Sequence, residues 1–167
     1  MDTEKPTSIF RLDSSSKLPT FTSQKRSAVV LDTNVVLDWL VFRDARVAPL
    51  VAAIQGGRVR WLACAAMRVE LAHMLGHKTL ASWAPDPNRA LAVFDALSMA
   101  TDPPPPTRLK CSDADDQVFV DLAVATGARW LVTHDRALLN LARRARAFGL
   151  EVMAPTAWRE NDIVGSV

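Results

Sequence analysis

From Ala28 onward, short β-branched apolar runs alternate with segments of helical spacing. That alternation constrains the fold more than any other feature of the chain, because period and run length separate strands from helices. Strands are predicted at Ala28–Leu31, Val59–Ala63, Trp130–Val132 and Leu150–Met153. Helices are predicted at Asn34–Leu40, Ala45–Gln55, Ala65–Leu75, Asn88–Met99, Asp115–Thr126 and Ala137–Phe148. Gly56, Gly76 and Gly127 follow three of these helices, where a helix terminator belongs. Thr101–Thr107 holds four consecutive prolines, which exclude helix and central strand and require a loop. Strands that alternate with helices build a parallel sheet with helices on both faces. Such α/β sheets carry their chemistry beyond the carboxyl ends of the strands.

The first 27 residues, Met1–Ser27, break this pattern. They are rich in Ser, Thr, Pro and Lys, with scattered apolar positions such as Ile9, Phe10 and Phe21. They read as a flexible or partner-binding arm before a domain at residues 28–160, with a short tail at 161–167. At 167 residues the chain suits one domain, and it can bury a core without covalent staples. Cys64 and Cys111 cannot make a disulfide framework and read as reduced thiols of a cytoplasmic protein. No apolar run reaches membrane-spanning length, and Asp2 and Glu4 sit where a signal peptide would be basic and then apolar.

The run VVLDTNVVLDWL at Val29–Leu40 poses a question. An apolar strand stops on Asp32, and a helix pattern starts at once. The third strand repeats the design, since Trp130–Val132 is followed by Thr133-His134-Asp135. If these strands are parallel neighbours, Asp32 and Asp135 share one rim. Asp116 opens the helix that leads into the third strand, and Glu70 lies on the helix after the second. Both helices begin at the same rim. Four carboxylates in one pocket repel one another, so they must bind protons or hold a cation. Hard oxygen donors suit Mg²⁺ or Mn²⁺. A metal-bound water in such a pocket suits phosphodiester hydrolysis, with Asn34 and Thr133 placed to orient ligands.

Each member has a plainer explanation. Asp32 and Asp113 fit helix N-caps. Asp38 and Asp121 read as surface residues of amphipathic helices, and Trp39, Trp61 and Trp130 as core. Arg143, Arg144 and Arg146 read either as a solvated helix face or as an RNA-binding rim. Glu70, His73 and His77 share a helix face, but no second Glu-x-x-His pair exists for a di-iron bundle. An aspartate after the first strand also occurs in haloacid-dehalogenase-type phosphatases, but Asp32-Thr33-Asn34 lacks their D-x-D. A non-catalytic RNA- or protein-binding module on the same fold is the remaining alternative.

LDTNVVL at Leu31–Leu37, Arg68-Val69-Glu70-Leu71, SDADDQVFVDLAVATGARWLVTHD at Ser112–Asp135 and the VMAPTAW ending resemble the PIN domain family. The nearest likeness is to its VapC-like branch, the toxin components of toxin–antitoxin systems. The resemblance covers about Ala28 to Trp158. It implies a three-layer α/β/α sandwich with a central parallel sheet of about four to five strands. It also implies a ribonuclease dependent on Mg²⁺ or Mn²⁺. Position by position, it assigns Asp32, Glu70, Asp116 and Asp135 as metal-binding and catalytic acids. Asn34, Asp113, Asp115, Thr133 and His134 take secondary places. His134 departs from the Gly, Arg or Asn common there. The implied partners are an RNA substrate, an antitoxin and a second copy of the chain, with the arm available to contact either protein.

Overall fold

The structure is a computed structural model that describes residues 27–163. The predicted arm, apart from Ser27, and the last four residues of the predicted tail lie outside the described residues. Among the described residues the strands form one sheet of five, all parallel. They are β1 (Ala28–Leu31), β2 (Arg60–Cys64), β3 (Ser98–Thr101), β4 (Trp130–Val132) and β5 (Glu151–Met153). The order across the sheet is β3-β2-β1-β4-β5.

The central strands are short and apolar because both faces are covered. Every residue of β1 and β4 is buried. Between β1 and β2 run α1 (Thr33–Leu37), a π-helical turn at Asp38–Phe42 and α2 (Ala48–Gln55). Next come α3 (Ala65–Leu75) and α4 (Pro87–Leu97), then α5 (Gln117–Thr126) between β3 and β4. Two short helices, α6 (Arg136–Leu139) and α7 (Ala142–Ala145), connect β4 to β5. The chain steps one way from β1 through β2 to β3, then crosses back to β4 and β5. Right-handed crossovers therefore put α1–α4 on one face and α5–α7 on the other. The packing agrees: α1 lies on α3 and α3 on α4, whereas α5 lies on β1 and α7 on β5. Trp61 and Trp130 fill the core beside Phe94 and Trp158, with edge-to-face ring contacts at 4.9 and 5.9 Å.

Three expectations need correction. The Asn88–Met99 helix ends at Leu97, and Ser98–Thr101 forms a fifth strand at the sheet edge. Its residues are half-buried or exposed, so it lacks the apolar signature of a covered strand. The Ala137–Phe148 helix is broken at Asn140-Leu141, where Leu141 N–H bonds Leu138 O in a tighter turn. Asp121 is not a surface residue: it is 9% exposed and accepts three hydrogen bonds.

This topology has one switch point. The loops after β1 and β4 leave in opposite directions and open a crevice between them, the place where parallel α/β sheets bind ligands.

Candidate active site

Asp32 is the first residue past β1. Its backbone continues the ladder, with Asp32 N–H donating to Val132 O at 3.0 Å. Its side chain is the N-cap of α1: Oδ1 accepts from Asn34 N–H at 3.3 Å. The cap explanation is therefore correct, but it leaves half of the carboxylate unexplained. Oδ2 accepts from the Thr133 hydroxyl at 2.7 Å, across the switch point. Asp32 is only 3% exposed and Thr133 fully buried. Burial pushes the Asp32 carboxyl above its ordinary range, and Asp135 adds to the rise. The Thr133 hydroxyl and Asn34 N–H oppose it.

Thr133 also sets Asp135. Its hydroxyl oxygen accepts from Asp135 N–H at 2.8 Å. Asp135 then caps α6, with Oδ1 accepting from Ala137 N–H at 2.6 Å and Leu138 N–H at 3.2 Å. Its Oδ2 accepts no hydrogen bond among the described residues. One threonine thus bridges the two strand-end aspartates and aligns both.

Asp116 is the N-cap residue of α5 but makes no side-chain cap bond. Its carboxyl is pushed up to about 7. Desolvation is the main cause, followed by the charges of Asp135, Asp32, Asp113 and Glu70 in that order. Glu70, half-buried on α3, is also raised, first by burial and then by Asp32 and Asp115, against a hydrogen bond from Thr33. These mutual influences define one electrostatic neighbourhood at the β1/β4 crevice. It draws acids from the ends of β1 and β4 and from α3 and α5. None of the four acids is ion-paired with Lys or Arg among the described residues.

No three His, Cys, Asp or Glu side chains among the described residues stand ready to hold a metal ion as placed. The acids influence one another electrostatically without being drawn up to a common point, as uncompensated like charges should. The donor set still fits a hard cation: carboxylate oxygens, spare lone pairs on Asp32 and Asp135, and no Lys or Arg ion pair among the described residues.

The secondary residues divide. Asn34 is exposed and contributes its backbone N–H to Asp32. Asp113 caps a turn by accepting from Asp115 N–H at 3.0 Å, and both are exposed beside Asp116. The α5 helix starts at Gln117, later than predicted. His134 turns to Asp38, its Nε2 meeting Asp38 Oδ2 at 2.6 Å, while the side chain stays 32% exposed. Asp38, expected on a solvated face, is therefore half-buried and starts the π-helical turn. Arg143, Arg144 and Arg146 are exposed, and Arg144 Nη1 donates to Lys110 O at 3.4 Å. His73 and His77 are exposed, and His77 caps the following turn.

Asp38 and Asp121 are the residues that sequence reasoning misplaced. Asp121 had a legible signal, since Phe119, Val120, Leu122 and Ala123 leave its helix segment no solvent face. Asp38 had none, because its partner lies 96 residues away.

The family described as PIN domain matches residues 28–137, two thirds of the chain. The chain belongs to the PIN domain family. No curated protein matches it. Among solved structures, the PIN fold of this chain is similar to VapBC2 from Rickettsia felis, crystallised bound to a DNA fragment from their promoter. The TM-score is 0.51 at 15% identity, over 75% of this chain and 98% of that one. At that identity the likeness shows the fold alone. The alignment of folds agrees with the three-layer α/β/α arrangement and parallel sheet described above. Among the described residues no helix is long and apolar enough to cross a membrane.

Proposed function

We propose that this PIN domain is an endoribonuclease dependent on Mg²⁺ or Mn²⁺, and the toxin of a toxin–antitoxin pair. What supports the reading is the mutual electrostatic influence of Asp32, Glu70, Asp116 and Asp135, none of which is ion-paired with Lys or Arg among the described residues. In this reading the four acids hold one or two divalent ions. A bound ion would polarise a phosphodiester and supply a nucleophilic water at neutral pH. The chain's own residues do the rest. Thr133 holds Asp32 and Asp135 in register, which limits how far either must move when a cation arrives. Asp116 makes no side-chain cap bond among the described residues, and a bound cation would favour its charged form. Asp113 and Asp115 keep the rim anionic, while Arg143, Arg144 and Arg146 offer contacts for RNA phosphates.

The partner reading rests on the resemblance to the VapC-like branch and on the fold shared with VapBC2 of Rickettsia felis. An antitoxin would mask the acidic crevice, with a basic side chain as the natural occupant. A homodimer, a cytoplasmic location and an N-terminal arm that meets a partner complete the proposal.

The test is cleavage of a mixed-sequence labelled RNA by the purified protein, with Mn²⁺, with Mg²⁺ and with EDTA. The Asp32→Asn variant runs beside it. Cleavage that requires both metal and Asp32 is expected. RNA binding without cleavage, indifferent to EDTA and to Asp32→Asn, would instead identify a binding module.

A further inference from the structure

A cleft of about 290 Å³ opens at the carboxyl ends of β2 and β3. Its walls are Ala65 and Ala66 of α3, Pro103 and Pro104 of the proline loop, and Val118 of α5. Cys64 and Asp121 also line it. The two helices that form it are those that carry Glu70 and Asp116. Ala66 lies one helical turn, about 6 Å of rise, before Glu70. A second hollow, of about 320 Å³, is lined by Trp39, Arg43 and Trp83 among others, and none of the four acids lines either cavity.

Asp121 is the unusual member of this lining. It is nine-tenths buried in an otherwise apolar helix segment. Its Oδ1 is saturated by three donors: Thr107 N–H at 2.9 Å, the Thr107 hydroxyl at 2.9 Å and Gln117 Nε2 at 2.7 Å. Its Oδ2 accepts no hydrogen bond among the described residues. That oxygen is not sealed in the core either. The sealed and unpaired side-chain atoms among the described residues are the indole nitrogens of Trp61, Trp130 and Trp158. An acceptor that reaches the cleft with no protein partner is free to take a donor from outside.

We infer that this cleft is a nucleobase subsite of the proposed nuclease, selective for bases that present N–H donors. It rests on the nuclease reading and supplies its base preference. The small apolar walls of Ala65, Ala66, Pro103, Pro104 and Val118 leave room for the face of one base. The open carboxylate oxygen decides which base. Guanine offers adjacent N1–H and N2–H₂ donors on its Watson–Crick edge. Cytosine and adenine each offer one amino group, the kind of donor that acidic side chains accept. Uracil flanks its single N–H with two carbonyl oxygens, which a carboxylate repels. Single-stranded RNA presents these edges freely. Guanine should therefore bind best and uracil worst.

The test is a titration of the ¹⁵N-labelled full chain, with Mg²⁺ present, with each nucleoside 5′-monophosphate. Inorganic phosphate serves as the probe that has no base. Backbone amide shifts at Ala65, Ala66 and Val118 are expected with GMP, and not with phosphate. GMP should be preferred to UMP by roughly tenfold, the scale of one good base contact. Ala65→Trp, a change at an exposed position, should abolish those shifts by filling the cleft. Asp121→Asn presents a donor in place of the open oxygen and should narrow or invert the preference. Equal binding of all four nucleotides would overturn the inference. So would shifts absent from the cleft, or shifts untouched by Ala65→Trp. The two proposals fail separately. GMP seated in the cleft of a protein that cuts no RNA removes the nuclease reading and leaves the subsite. RNA cleavage without base-dependent shifts does the reverse.

Discussion

Replacing Asp116 with asparagine should stabilise the metal-free protein at pH 8. The folded state holds the Asp116 carboxyl at about 7, against an ordinary value of 3.8. A raised carboxyl pKa means that the folded state prefers the protonated form. Its contribution to stability is then complete below about pH 4 and is lost as pH climbs through 7. A rise from 3.8 to about 7 corresponds to roughly 4 kcal/mol between protonation states. Asp116 is partly exposed, and solvent screening cuts that ceiling to about 1–2 kcal/mol. Asp116→Asn keeps the shape and removes the charge. In EDTA at pH 8 it should raise Tm by roughly 3–6 °C, with little change near pH 4. Scanning calorimetry of both proteins across pH 4–8 measures this. Saturating Mn²⁺ should reverse the order, because wild type gains binding energy in its folded state and the variant lacks a ligand. A variant less stable than wild type in EDTA at pH 8 would refute the reasoning. It would mean that neither burial nor the charges of Asp135, Asp32, Asp113 and Glu70 penalise the Asp116 carboxylate.

Three further outcomes follow from the same geometry. Thr133→Val removes the hydroxyl that holds Asp32 and Asp135, so urea denaturation should show a loss of about 1–3 kcal/mol, with weaker Mn²⁺ binding in a fluorescence titration. Asp121→Ala strands three donors from Thr107 and Gln117 and should cost about 2–4 kcal/mol in the same assay, while Asp121→Asn costs less. If Arg143, Arg144 and Arg146 meet RNA phosphates, their triple alanine variant should flatten the salt dependence of RNA binding by up to about 0.7 in log–log slope per lost contact, measured by fluorescence anisotropy.

The architecture was readable because covered parallel strands must be apolar throughout. Ala28–Leu31 and Trp130–Val132 have that character, and each runs directly into its aspartate. Chain order then puts Asp32 and Asp135 at one rim, and the register of Leu31 with Val132 makes them neighbours across the crevice. Edge strands carry no such signature. Ser98–Thr101 sits at the sheet margin with Met99 and Ala100 exposed, so helical spacing ran on through it. Long-range polar pairs are equally silent in sequence. The link from His134 to Asp38 depends on a π-helical turn that no local preference announces. Asp121 was the readable exception: an acid inside an apolar helix segment has to be buried, and a buried acid has to be hydrogen-bonded.

Diffraction from crystals soaked in Mn²⁺, with anomalous scattering recorded, tests the central claim most directly. The account predicts an anomalous peak between Asp32, Glu70, Asp116 and Asp135, with the acids drawn toward it. An ordered crystal with no peak among these four carboxylates at saturating Mn²⁺ would contradict it.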